Sequence, residues 1–187
     1  MSKNHIASAK RTIEVMVEFP KNLTPGALRG LKADRIRSMV ISSDVGLDYM
    51  LGLCLKMTFC RRVNENEVKK LFDPYANGIL VSLVQKARIA YALELIDKTT
   101  FTDIMHLHRI RNVVAHKGRA KFADPDISKP CMKLSTATKI KKYNTNKGLL
   151  FFCAAHDKCF HRLWDSIDKL QKKDTFTGWQ PFFLLNP

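Results

Sequence analysis

The chain has 187 residues, 45% of them hydrophobic, and 32 basic against 17 acidic side chains give it a formal net charge of +15. That length and apolar content fit one domain with a single sizeable core and basic extensions at its ends. No apolar run reaches the roughly 18 residues of a membrane span, and residues 1–15 lack the continuous apolar stretch of a signal peptide; a cytoplasmic protein without a membrane partner is expected.

Residues 1–33 read as a basic N-terminal extension. From residue 33, ADRIRSMVISSDVGLDYMLGLCLKMTFC carries Ile36, Val40, Leu47, Leu51 and Cys54 in helical register, which predicts one long helix with a kink near Ser42–Ser43 or Gly46. NENEVKKLF is a short helix opening at Asn64, and Pro74, Asn77 and Gly78 then mark a turn. The clearest helical pattern runs over 79–96, and a second over 100–117, with Thr100 as its N-cap, Asp103 in its first turn and Gly118 as its C-terminal cap. The short connection predicts that the two are antiparallel neighbours. FADPDISKP reads as a loop, and STATKIKKYNTNKG as a polar, basic linker without a core pattern. The last helix spans 148–173, with Phe152, Phe160, Leu163, Ile167 and Leu170 as its inward stripe. A tail with Phe176, Trp179, Phe182 and Phe183 is too aromatic to be free in water. The fold class is therefore all-α, a helical bundle with a core over 34–134 and a linker, helix and tail over 135–187 that pack on it.

The five cysteines (Cys54, Cys60, Cys131, Cys153, Cys159) are odd in number and form no CxxC pair, which favours reduced, mostly buried thiols. Cys153, His156, Cys159 and His161 tempt as zinc ligands. On a helix they point in different directions, so they read as core cysteines with surface histidines; no metal and no cofactor are expected.

The unusual stretch is RIRNVVAHKGR, residues 109–119. Ile104, Leu107, Ile110 and Val114 share one helical arc, and Arg111 lies within it. His108, Asn112 and His116 stand four apart along an adjacent face. Such a set suits a phosphodiester: an imidazole exchanges protons near neutral pH, a guanidinium braces the phosphate, and an amide one turn before a histidine orients it. The competing reading is structural, with Arg111 paired to Asp103 or another carboxylate and His116 favouring the negative helix end. Arg111 and His116 are also roughly 140° apart on an ideal helix, so a site needs distortion there or a second copy facing the first.

Arg111, four residues, then His116 is the R-x4-H signature of the HEPN superfamily. Within it the chain resembles the mannitol-repressor (MltR-like) family over roughly residues 34–134. "ARIAYALELI" and "IRNVVAH" match that family's paired helices, "DKTTFTDIMHLHR" lies between them, and "FADPDISKPCMKL" is similar to the segment that follows. The resemblance implies a self-associating helical bundle, hence a homodimer. It also implies Arg111 as phosphate binder, Asn112 as orienter and His116 as proton-transfer residue; Arg88 matches the family's arginine of the preceding helix, and His108, by its place in the row with Asn112 and His116, is an accessory candidate. Glu94 stands where the family usually has glycine, and Val114 where an aromatic is common. Some HEPN proteins are metal-independent RNases whose Arg and His meet across a dimer, whereas MltR-like proteins are described as transcriptional regulators without an evident helix-turn-helix.

Three functions follow. The first is a regulator of repressor type acting through nucleic acid, RNA or DNA, or through a protein partner. The second is a metal-independent endoribonuclease of toxin or defence type, and the third a non-catalytic helical adaptor. The charge favours a polyanion, and Lys139, Lys141, Lys142 and Lys147, in the polar linker, are the expected nucleic-acid contacts.

Overall fold

The computed structural model describes residues 25–60, 63–117, 120–137 and 143–173. Among them every regular element is helical. They are α1 (Pro25–Phe59), α2 (Glu65–Phe72), a 3-10 turn (Pro74–Ala76), α3 (Leu83–Ala92), α4 (Lys98–His116), α5 (Pro125–Cys131) and α6 (Thr145–Lys173).

α1 is the spine. It packs on α3, α4 and α6, while α4 also packs on α3, α5 and α6. The expected register explains why. Val40, Leu47, Leu51 and Cys54 are buried on α1, and they meet Ile104, Leu107, Ile110 and Val114 of α4 and Phe152, Leu163 and Ile167 of α6 in one core. The helix continues through Ser42, Ser43 and Gly46. Ser43 returns its hydroxyl to the Met39 carbonyl (2.8 Å), a bond made inside the helix rather than in competition with it. By length and composition Lys32–Phe59 would suffice to cross a membrane, but its buried side chains are the centre of this core.

Several boundaries differ from the sequence expectation. Asn64 caps α2 as expected, accepting from the Asn66 N–H at 2.8 Å. α3 is shorter than 79–96. It opens at Ser82, where a reciprocal box with Gln85 satisfies the first turn. It closes on Leu93 with the paired bonds Glu94 N–H to Tyr91 O (3.0 Å) and Leu95 N–H to Ala90 O (2.9 Å). α4 begins three residues early because Asp97, not Thr100, is the cap, accepting from the Thr100 N–H at 2.7 Å. Thr100 and Asp103 are both buried. Gly118 lies outside the described residues; Lys117 leaves α4 in an extended conformation.

The segment FADPDISKP is a loop only as far as Asp124; from Pro125 on it is helical. Pro125 occupies the first turn of α5, where its missing N–H costs nothing, and Ile127 and Cys131 anchor the helix in the core. Nor is the following stretch without core contacts: Thr136 is buried and donates to the Phe151 carbonyl at 3.0 Å. α6 starts at Thr145, capped by Asn144 through the Lys147 N–H at 2.9 Å. Gly148 is inside that helix because the Tyr143 ring lies over it: a Cβ there would meet the Tyr143 Oη at 2.0 Å. The aromatic tail, Phe176 to Phe183, lies outside the described residues.

Glu94 has φ of 57°, a left-handed conformation that costs a residue with a Cβ about 1–2 kcal/mol. The same resemblance that puts glycine here thus has a backbone reason. Glu94→Gly is expected to raise stability by about 0.5–1 kcal/mol, the relief of strain exceeding the added freedom of the unfolded chain. Urea midpoints of the two proteins measure it, and an unchanged or lower midpoint contradicts it.

All five cysteines are free thiols, and four are buried. Burial pushes Cys54, Cys131 and Cys153 up to about 12, so they remain protonated and unreactive at neutral pH. His156 is not a surface histidine. Its Nε2 is buried with no hydrogen-bond partner, and burial holds its pKa below the ordinary 6.5, opposed by a bond to the Ser43 backbone and by the charge of Asp157. Below that ordinary value the unfolded chain takes up a proton that the folded chain resists, so stability falls with falling pH from about 6.5. His156→Leu should flatten this decline between pH 7.5 and 5.5 in urea titrations; an equally steep decline in the variant would assign it elsewhere.

Candidate functional site

The polar residues of the RIRN stretch do not face solvent as a group; they meet α1. α4 turns His108 and Arg111 toward Asp44, which projects from α1 within the apolar register of Val40, Leu47 and Leu51. The Asp44 side chain is only 11% exposed, against 23% for His108 and 31% for Arg111. His108 Nδ1 lies 3.0 and 3.2 Å from the two Asp44 oxygens. A carboxylate cannot donate, so Nδ1 carries the proton.

The other side of the ring fits that assignment. Asn112 Nδ2 donates to His108 Nε2 at 3.1 Å, and Arg111 donates through one terminal nitrogen to Asn112 Oδ1 at 3.0 Å. Carboxylate, imidazole, amide and guanidinium therefore form one chain of bonds, each acceptor facing a donor. The guanidinium closes back on Asp44: its Nε stands 3.6 Å from Asp44 Oδ2, too far for a hydrogen bond, and this buried N–H has no partner. Two further contacts tie the same face of α1 to its neighbours. Arg37 donates to the Ala115 carbonyl at 2.9 Å, satisfying the last turn of α4 and placing positive charge at its negative end. One turn beyond Asp44, Asp48 binds the largely buried Lys86 of α3 at 2.6 Å. The Lys86 side chain passes over Gly52, where a Cβ would stand in ordinary contact with it at 3.9 Å.

His116 is placed differently. It is exposed in the last turn of α4 and has no hydrogen-bond partner among the described residues. α4 runs unbroken to it, so the ideal separation from Arg111 holds and one chain does not bring the two together. Asn112, expected to orient His116, is bonded instead to His108 and Arg111. Arg88 is exposed on α3 and takes no part in these bonds. Lys147 is half-buried at the start of α6; Lys139, Lys141 and Lys142 lie outside the described residues.

Sequence reasoning missed Asp44, Asp48, Lys86 and Arg37. A signal for the two aspartates was present: both fall on the apolar side of the α1 register, where a carboxylate persists only with a partner. Nothing local names those partners, 64 and 38 residues away. Chemically, the array can fix the α1–α4 packing and hold His108 in one tautomer. It offers Arg111 to an anion only if Asp44 is displaced or outweighed.

Among the described residues no group of three or more His, Cys, Asp or Glu side chains is placed to hold a metal ion. A search of curated proteins and one of solved structures find no significant match to the chain. A family model described as Mannitol repressor matches residues 32–157, from the first turns of α1 to the middle of α6. That span contains the whole Asp44–His108–Asn112–Arg111 array, and the match supports a regulatory function of repressor type. On this match, which covers well over half of its length, the chain belongs to the mannitol repressor family.

Proposed function

We propose that this protein is a cytoplasmic regulator of repressor type that binds nucleic acid reversibly, as a homodimer, and does not cleave it. The observation that carries the non-catalytic part is the engagement of Arg111. A nuclease needs that guanidinium free to brace a phosphate as charge builds, whereas here it donates to Asn112 and faces the Asp44 carboxylate of the same chain as its counter-charge. The net charge of +15 carries the nucleic-acid part, since a polyanion is the partner that such an excess recruits. Lys139, Lys141 and Lys142, before α6, and Lys147, in its first turn, contribute phosphate contacts. Neutralising all four should weaken binding and lower the log–log salt slope by about 0.9 per lost contact; an unchanged slope would place the contacts elsewhere.

A second reading, a composite endoribonuclease, draws on one specific observation. The unpartnered Arg111 Nε and the exposed, solitary His116 are what a site completed by another protomer would leave in a single chain. Mixing Arg111→Ala with His116→Ala should then restore RNA cleavage that each variant lacks alone. Absence of cleavage by the unaltered protein ends this reading.

A further inference from the structure

We propose that the ridge along the outer sides of α4 and α5, built on Arg109, Lys129 and Lys133, is a binding surface for the phosphodiester backbone of nucleic acid. The inference rests on the nucleic-acid reading above and gives it a place in the fold.

The three cations come together from two packed helices. Arg109 projects from α4, and Lys129 and Lys133 stand one turn apart at and just beyond the end of α5, whose opposite side buries Ile127 and Cys131. Their mutual proximity is visible in what they do to their neighbours. His106 is held below its ordinary pKa first by burial and then by the charge of Lys133, with Arg109 acting in the same sense and Asp103 opposing. Asp126 is held below the usual carboxylate range by its bond to Lys117 and by the charges of Lys117, Lys129 and Arg109.

None of the three makes an ion pair with a described carboxylate. Elsewhere on the surface exposed lysines do: Lys69 with Glu65 at 2.9 Å, Lys70 with Glu67 at 2.6 Å, and Lys172 with Asp168 at 2.7 Å. The nearby carboxylates make their direct bonds to other groups. Asp126 is bound by Lys117, Asp124 accepts the Lys121 backbone N–H at 3.0 Å, and Asp103 is buried under Ser135. What remains is a row of positive charge on rigid elements that no direct ion pair closes off. His116 lies on the same side of α4, two helical turns and roughly 10 Å beyond Arg109. A charge row of this kind repels itself in the free protein, and a polyanion relieves that repulsion while releasing its own counterions.

The test is a salt titration of binding by fluorescence anisotropy, using the full chain with a labelled DNA duplex in one arm and an RNA of the same sequence in the other. The triple substitution Arg109→Gln, Lys129→Gln, Lys133→Gln is compared with the paired-lysine control Lys69→Gln, Lys70→Gln. All five positions are exposed, so melting temperatures should stay close to that of the unaltered chain. The ridge variant is expected to lose at least about ten-fold in affinity near 0.1 M salt and up to about 2.7 units of log–log slope, with the control unchanged. A loss confined to one arm supports the ridge for that polymer. Unaltered affinity and slope in the ridge variant overturn the proposal while leaving nucleic-acid binding intact, as does an equal loss in the control. Failure of the unaltered chain to bind either polymer overturns both.

Discussion

Asp44→Ala is expected to cost about 3 kcal/mol of folding stability and to lower the melting temperature by about 6–12 °C, with helices otherwise retained. The cost arises less from the bonds lost than from the groups left behind. Without the carboxylate, the His108 Nδ1–H has no acceptor, and the Arg111 guanidinium stays between α1 and α4 with no counter-charge. Each orphaned group forfeits about 1–3 kcal/mol, and a charged one more. Asp44→Asn should cost less, since its oxygen still accepts from His108, but its amide then faces a guanidinium that only donates. Because His108 loses its role along with its partner, Asp44→Ala and His108→Ala should be non-additive by about 1 kcal/mol or more. Urea unfolding of the two variants and their combination measures this. A cost under about 0.5 kcal/mol, or simple additivity, would mean that water replaces the carboxylate and that the array does not hold α1 to α4.

Asp103→Ala should be comparably damaging, by about 3 kcal/mol, for a different reason. Its side chain is 1% exposed and faces Lys158 of α6 at 3.9 Å. It accepts the Ser135 N–H at 2.8 Å and also the Ser135 hydroxyl. That one carboxylate fixes the chain where it leaves α5, and it brings the positive charge of α6 against α4. Alanine leaves the Ser135 N–H without its acceptor and Lys158 without its counter-ion. The loss should be local as well as global: amide exchange over residues 132–137 should accelerate more than exchange in the middle of α1. Uniform acceleration, or none, would contradict this assignment.

How much of this was legible in the sequence follows the range of the interactions. The apolar arcs of α1, α4 and α6 were readable because helical period is a local property, and Ile104, Leu107, Ile110 and Val114 are buried as that period requires. The start of α3 was also readable: Ser82 and Gln85 stand at capping-box spacing, a stronger mark than the apolar residues before them. Asp97 and Thr100 both suit an N-cap by type. The choice between them was made by burial, since Thr100 packs in the core. α5 was hidden by its prolines, although one at the first turn favours a helix as much as one further on opposes it. The oddity of Arg111 inside an apolar arc was visible, and so was its need for a carboxylate. That the carboxylate is Asp44, and that Asn112 turns back to His108 rather than on to His116, depends on how α1 crosses α4. No local pattern encodes that crossing.

The central claim, reversible binding without cleavage, is tested most directly by the state of RNA recovered from its complex with the protein. End-labelled RNA is incubated with the purified chain in EDTA, the complex is isolated by native electrophoresis, and the RNA in it is resolved on a denaturing gel. The engagement of Arg111 by Asp44 and Asn112 predicts a retarded complex whose RNA remains full-length after prolonged incubation, with His116→Ala behaving in the same way. Chelator-resistant cleavage leaving cyclic phosphate ends, lowered by about 100-fold or more in His116→Ala and in Arg111→Ala, would contradict it.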